Sequence, residues 1–126
     1  MPHEVLEHRS SAPNDLNSQL NILVMDKPGA GGACHRYHVV NFERTQLLCE
    51  VKFQHGPLVE SGGVTNGISN EALLAIVADR LQAFQMGQYA CEDNEQALRS
   101  IRHALRCLHS RTKERVERGV EGTSKI

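Results

Sequence analysis

The chain has 126 residues, of which 40% are hydrophobic and 4% aromatic, with no Trp. Its 14 basic and 15 acidic residues give a net charge of −1, which excludes a global field that would draw the protein onto nucleic acid or a membrane. No stretch approaches the roughly 20 apolar residues of a membrane span, and the polar N-terminus does not resemble a secretory signal. We therefore expect a cytoplasmic protein of one domain. Its shortage of large core side chains favours a homo-oligomer in which apolar helix faces are buried between copies.

The N-terminal third of the chain predicts a small sheet preceded by an arm. Residues 1–20 show neither helical nor strand periodicity, so we expect a mobile N-terminal arm. Short runs of β-branched and aromatic residues then predict three strands, at about 22–25, 37–42 and 47–53, within a sheet region of 21–55. Because only a few residues separate these strands, they should pair as antiparallel hairpins.

The rest of the chain predicts a loop and two helices. Residues 56–69 are rich in Gly, Ser, Thr and Asn, and form the loop. Ser69 or Asn70 should cap a first helix that is apolar nearly all round and therefore buried on most sides. Asp93 and Gln96 resemble a capping box at the start of a second helix.

The complete prediction is an α+β fold. A short antiparallel N-terminal β-sheet is followed by an antiparallel two-helix hairpin at 70–118, and the whole is oligomeric. We expect 21–123 to form the single domain and 119–126 to be a loose C-terminal tail.

A glycine-rich run, Gly29-Ala30-Gly31-Gly32, invites interpretation as a phosphate-binding loop. Its spacing is neither GxGxxG nor GxxxxGK[ST], and a predicted strand follows it where those motifs require a helix. Without a helix N-terminus, the loop lacks the aligned backbone donors of an anion site. The run therefore favours a hairpin loop.

Metal binding and nucleophilic catalysis are both disfavoured. Cys34, His35, His38 and Cys49 are ligand types that zinc accepts, but no CxxC or HxxxH pair accompanies them. Nothing in the sequence places a base beside a thiol, and Cys49 and Cys107 fall on apolar faces where small buried side chains are expected. We predict reduced cysteines, no metal, no cofactor, no catalytic residue and no enzymatic activity.

A set of residues suited to nucleotide binding remains. Phe84 ends the first helix, Asn94 opens the second, and Arg111 and Arg115 lie one turn apart near its end. A base stacks on an aromatic ring, an amide reads polar edges, and paired guanidinium groups bind phosphates. Asn94 and Arg111 are 17 residues apart, which is about 25 Å along a helix, so a small ligand could contact both only across two packed chains. Considered alone, Phe84 is more typical of a core position, and the arginines are more typical of a solvated face.

The hairpin resembles a family of phage anti-defence proteins. The resemblance covers about residues 70–123 and is carried by 70–77, 79–81, Phe84-Gln85, Ala90-Cys91, Asn94, Ala97-Leu98, Arg111-Thr112, Arg115 and the closing run 118–123. These segments are similar to the Thoeris anti-defence signal sponges, which share the hairpin with the anti-CBASS cyclic-oligonucleotide sponges.

The resemblance implies a protein that binds and sequesters a cyclic ADP-ribose isomer without cleaving it. It also implies dimers that can assemble into hexamers, and uptake of cyclic di- or trinucleotides by some members. It assigns ligand contacts to Phe84, Asn94, Arg111 and Arg115, with Arg118 and Thr112 as weaker candidates for a second site. Two alternatives stay open, namely a phage assembly or interaction protein without a small ligand, and a hydrolase of the signal.

Overall fold

The computed structural model describes residues 3–10, 15–60 and 62–126, and these form two compact units. The sheet unit contains the described residues up to Gly56 together with Thr65–Gly67. The hairpin unit contains the described residues of Pro57–Val64 together with Ile68–Ile126. The prediction of a single domain at 21–123 stays a prediction.

The sheet unit has four antiparallel strands in sequential order. They are β1 (Glu4–Val5), β2 (Leu20–Val24), β3 (Arg36–Asn41) and β4 (Leu47–Lys52). β2, β3 and β4 confirm the three predicted strands and their antiparallel pairing. A register shift between Val39 and Val40 interrupts the β3–β4 ladder. Asn41 closes the β3–β4 turn, because its side-chain oxygen accepts hydrogen bonds from the backbone N–H groups of Thr45 and Gln46.

The structure corrects the prediction for the start of the chain. Glu4 pairs with Leu23 and Val5 with Ile22, so part of the predicted arm is an edge strand. A short 3₁₀ turn, Leu16–Gln19, follows and is capped by the carboxylate of Asp15. Residues 1–2 and 11–14, which also belong to the predicted arm, lie outside the described residues.

The core of the sheet unit is small. Val24 and Val40 are its buried apolar residues among those described, and Asn21 is buried beside them. The Asn21 amide nitrogen donates hydrogen bonds to the backbone carbonyl groups of Asn41 and Phe42, so this buried nitrogen is satisfied.

The hairpin unit is built from α1 (Asn70–Gln85) and α2 (Glu92–Glu117), which confirms the predicted helical hairpin. Ser69 caps α1 by accepting a hydrogen bond from the backbone N–H of Ala72. The predicted capping box at Asp93 is wrong, because α2 begins two residues earlier than expected for such a box. Its N-cap is Cys91, whose Sγ accepts from the backbone N–H of Asn94.

Much of the apolar surface of α1 is exposed in the single chain. Only Ala78 is buried on this helix, whereas Ile76 is 58% and Val77 42% exposed. A single partner helix covers only one side of α1, so its burial on most sides, expected between copies of the chain, stays a prediction. No helix within 3–10, 15–60 and 62–126 is long and apolar enough to cross a membrane.

Candidate functional site

The predicted ligand-binding residues lie at opposite ends of the helical hairpin. Phe84 closes α1 and Asn94 lies in the first turn of α2, and we call these two the tip set. Arg111, Thr112 and Arg115 lie in the last two turns of α2 and Arg118 is its C-cap, and we call these four the base set. Because α2 is one continuous helix, about 25 Å separates Asn94 from Arg111. One chain therefore carries the predicted contacts as two separate sets, which we call half-sites.

The tip set is held by the short link between the helices. Gln85 fixes this link by accepting a hydrogen bond from the backbone N–H of Cys91 at 3.0 Å. The Phe84 ring is 39% exposed, and the guanidinium of Arg80 lies 5.6 Å from its centroid. Asn94 is half-buried and its amide nitrogen is 3.5 Å from the carbonyl oxygen of Tyr89. The tip thus offers an aromatic ring with one cation beside it and an amide with spare hydrogen-bonding capacity.

Within the base set, Arg111 is the arginine best placed to reach a ligand. Its side chain is exposed, and among the described residues none forms a hydrogen bond or an ion pair with it. An unpaired guanidinium presents five N–H donors in a fixed plane, which suits bidentate binding of a phosphate. Thr112 beside it is half-buried.

Arg115 has a different environment, because it is only 9% exposed and the protein itself occupies its guanidinium. Its Nη1 donates to the carbonyl oxygen of Lys125, and its Nη2 donates to those of Val120 and Thr123. Its Nε lies 3.3 Å from a carboxylate oxygen of Glu121. Arg115 therefore fastens the C-terminal segment to α2, which differs from the expectation of a loose tail at 119–126.

The C-terminal segment also contacts the loop before α1. Its path begins at Gly119, whose φ of 73° ends α2, and the Val120 N–H returns to the carbonyl of Arg115 as in a Schellman motif. The carbonyl of Gly122 then accepts a hydrogen bond from Val59, and the carboxylate of Glu60 accepts two from Ser124. The sequence analysis did not predict this network. The two glycines of the closing run, Gly119 and Gly122, are the signal that could have indicated it.

Arg118 is exposed and paired with Glu114 one turn earlier, and its Nη2 also donates to the carbonyl oxygen of Ile126. An exposed pair of this kind is weak and can be exchanged for a ligand phosphate at little cost. The role of Arg118 and Thr112 in a second ligand site stays a prediction.

The cysteines differ from their expected environment. Cys49 and Cys107 are exposed in the single chain, so the prediction of buried thiols at these positions is wrong. A base does lie beside one thiol, because His103 Nε2 is 3.6 Å from Cys107 Sγ. Both residues are in the interior of α2, where backbone N–H groups are used within the helix and none is free to stabilise an oxyanion. The contact therefore lacks the oxyanion-stabilising donors that acyl-transfer chemistry requires.

The residues considered for a metal site are not brought together. Cys34 Sγ contacts the carbonyl of Asp26, and His38 contacts Glu50 on the neighbouring strand. Within the part of the chain that the structure describes, no group of three or more His, Cys, Asp or Glu is arranged to hold a metal ion.

Comparison with known proteins points to the hairpin. A family model described as the Acb2/Tad1 hairpin domain matches residues 46–112, just over half of the chain. Thoeris anti-defense 1 from Bacillus phage SBSphiJ7 is 43% identical over 95 residues, which cover 75% of this chain and 64% of that protein. The chain thus spans less than two thirds of the relative's length. The family model includes Phe84, Asn94, Arg111 and Thr112 and ends before Arg115 and Arg118.

Proposed function

Because the chain belongs to the Acb2/Tad1 hairpin-domain family, we propose that it is a phage anti-defence protein that sequesters a cyclic ADP-ribose-type immune signal without cleaving it. Withholding the signal from its effector in the host bacterial cytoplasm would block Thoeris signalling. Cyclic di- and trinucleotides of CBASS signalling form the second ligand class in this proposal. The observation that carries it is the similarity to the phage protein named Thoeris anti-defense 1.

The chemistry of the two half-sites supports a cyclic nucleotide that carries a pyrophosphate. The exposed ring of Phe84 offers a stacking surface for a base, and the Asn94 amide offers both a donor and an acceptor to polar edges. Arg111 offers a free guanidinium to the phosphates. Arg115, one turn later on α2, holds the adjoining segment. These groups stack and hydrogen-bond, so the proposed action is binding without bond cleavage.

The separation of the half-sites supports a ligand site that spans two chains. In a two-fold symmetric pair of antiparallel hairpins, the tip set of each protomer meets the base set of its partner, which gives two equivalent sites. The exposed apolar residues of α1 and its C-cap, among them Ile76, Val77 and Met86, provide a surface for such a pair. We therefore propose an obligate homo-oligomer, which is either a dimer or a hexamer assembled from dimers.

A complementation experiment tests this function and the spanning site together. Asn94→Trp blocks the tip set and Arg111→Ala removes a base contact, so each variant alone should bind a TIR-derived cyclic ADP-ribose isomer much more weakly than the wild type. Co-expressed as a mixed dimer, the two chains contribute one intact tip and one intact base to the same site. Random pairing should then restore about a quarter of the wild-type ligand sites.

Two outcomes of the complementation experiment would count against the proposal. Full activity in both single variants would remove the assigned contacts. Loss in both without any recovery in the mixture would place the complete site within one chain. If wild-type protein binds neither a cyclic ADP-ribose isomer nor a cyclic oligonucleotide, the alternative of a phage assembly protein replaces the proposal.

A further inference from the structure

A cavity of about 290 Å³ opens in the sheet unit, and no residue of the tip or base set is among its lining residues. His35, His55, Phe53, Arg36 and Lys52 line it, and we call it the imidazole pocket. Its volume is at the lower end of the range for small-molecule sites, and a few convergent polar groups on a mainly apolar wall are typical of such sites. The pocket has no role in the function proposed above.

The two imidazoles form one side of the pocket. The rings of His35 and His55 meet edge to face, with centroids 4.8 Å apart and planes at 85°. The Nδ1 atom of His35 is buried without a hydrogen-bond partner among the described residues. A buried polar atom left unpaired costs free energy, so the packing around His35 carries a local strain.

Hydrogen bonds to the backbone hold both imidazoles in place. The carboxylate of Asp26 accepts from the backbone N–H groups of His35 and Arg36, at 2.9 and 3.2 Å. The Asn66 amide accepts from the His55 N–H at 2.7 Å and donates to its carbonyl at 3.0 Å. The carboxylate of Asp26 and the carboxamide of Asn66 thus fix the two segments that carry the imidazoles.

Two cations and one carboxylate line the pocket, those of Arg36, Lys52 and Asp26. Arg36 Nε and Lys52 Nζ also share the carboxylate of Glu50 on the neighbouring strand, at 2.8 and 3.6 Å. Among the described residues only the Nε of the Arg36 guanidinium has a partner, so its remaining N–H groups are donors that an anion could use.

The glycine-rich turn shapes the same pocket. A Cβ atom on Gly29 would lie 2.9 Å from His55 Cε1, so only glycine allows the turn to approach the imidazole this closely. On another side, the Phe53 ring packs edge to face on Tyr37 and supplies an apolar wall. The Gly29–Gly32 run therefore contributes to a cavity by close packing and not by cradling a phosphate.

We propose that the imidazole pocket binds a small anion that carries a planar ring, the chemistry shared by aromatic carboxylates and nucleoside monophosphates. The anionic group is recognised by the donors of Arg36 and Lys52, and the ring is sheltered by Phe53. These donors favour a negative ligand, and a mainly apolar wall selects a flat apolar body over a bare ion.

Titration of the full-length protein with four probes tests each part of this chemistry. AMP and benzoate carry both a ring and an anion, adenosine has only the ring, and inorganic phosphate has only the anion. The histidine Cε1–H NMR signals report binding, since the seven histidines are distributed over both units. We expect AMP or benzoate to shift the His35 and His55 signals at concentrations about tenfold below those required by adenosine or phosphate. The signals of His103 and His109 on α2 should not move.

The same titration can overturn the proposal. If phosphate shifts the signals at the same concentration as AMP or benzoate, the ring is not recognised. If adenosine does so, the anion is not recognised. If no probe shifts them, the pocket is not a binding site. A response to AMP but not benzoate would support the phosphate ester as the source of the anion, and the reverse would support the carboxylate.

Two substitutions connect the response to the pocket. Lys52→Gln removes an exposed cation at the mouth and should weaken the tighter probe about tenfold, whereas the matched control Lys113→Gln on α2 should leave it unchanged. Gly29→Ala should also weaken binding by displacing His55. Unchanged affinity in Lys52→Gln would overturn the proposal even if Gly29→Ala failed to fold.

Discussion

The Nη2 atom of Arg115 lies 3.0 Å from the backbone carbonyl oxygen of Thr123, so a side chain in the last turns of α2 holds the segment that follows the helix. The same guanidinium reaches two further carbonyl groups and the carboxylate of Glu121. Arg111, one turn earlier, is exposed and has no such partner among the described residues. Two arginines that look equivalent in the sequence therefore lead to different expectations.

Arg111→Ala should abolish most ligand binding and leave the fold intact. Charge-assisted hydrogen bonds contribute about 1.5–3 kcal/mol each, so we expect the affinity for the cyclic signal to fall by about tenfold to a hundredfold. The free energy of unfolding should change by less than about 0.5 kcal/mol, because the side chain is exposed. Calorimetric titration and urea denaturation measure the two quantities. Arg106→Ala, an exposed arginine on the same helix, is the matched control, and an equal loss of affinity in both variants would contradict the assignment.

Arg115→Ala should instead destabilise the C-terminal segment. Removal of a buried guanidinium with four partners leaves the carbonyl groups of Lys125 and Thr123 without a donor, whereas that of Val120 keeps the N–H of Thr123. We expect a loss of about 1.5–3 kcal/mol in unfolding free energy. Amide hydrogen exchange should accelerate at Val120 and Thr123, whose N–H groups lie in this segment. Arg115→Lys should not restore protection, because an ammonium cannot reproduce the planar fork. Unchanged exchange in Arg115→Ala would show that the segment does not depend on this side chain.

Gly122→Ala should disturb the contact between the C-terminal segment and the loop before α1. A Cβ atom there would lie 2.6 Å from Val59 Cγ2, and φ at this position is +78°. Gly119 has a similar φ of +73° but open space around it, so Gly119→Ala carries the backbone strain without the clash. We expect Gly122→Ala to cost about 1–2 kcal/mol more than Gly119→Ala in urea denaturation. Val59→Ala should recover part of that difference in the double variant, and equal costs for the two glycines would argue against the contact.

Glu50 should make stability depend on pH in the acid range. Hydrogen bonds from His38 and then Arg36 lower its pKa from 4.5 to about 2 in the folded protein. A lowered carboxyl pKa stabilises the fold above the unfolded value, and this contribution is lost as the pH falls from 4.5 towards 2. Wild-type protein should therefore lose more unfolding free energy across this range than Glu50→Gln does. Glu117→Gln, on the exposed surface of α2, should retain the wild-type dependence, and parallel curves for wild type and Glu50→Gln would contradict the pKa assignment.

The sequence predicted the regular elements well because their signals are local. Runs of β-branched residues indicated β2, β3 and β4, and helical periodicity with Ser69 as a cap indicated α1. Strand β1 was missed because two residues are too few to show alternation, and its existence depends on pairing with β2. Cys91 was missed as the N-cap of α2 because a thiol is an unusual acceptor, whereas Asp93 has a preferred side chain in nearly the right place.

The candidate site was predictable only in part. The order of residues along the chain correctly indicated that the tip and base sets lie on one hairpin and are separated along one helix. The engagement of Arg115 could not be predicted, because it depends on a C-terminal path fixed by contacts with Val59 and Glu60, more than 50 residues away. The imidazole pocket was missed for the same reason, since His35 and His55 lie on different segments and meet only through packing.

The most direct test of the proposed function is capture of the intact signal. The protein is incubated with a TIR-derived cyclic ADP-ribose isomer, freed of unbound ligand, and heated, and the supernatant is analysed by mass spectrometry and by activation of the Thoeris effector. The account predicts that effector activity disappears before heating and returns with unchanged ligand afterwards. Recovery of a hydrolysed product would contradict it in favour of an enzyme, and recovery of nothing would show that this class of signal is not bound.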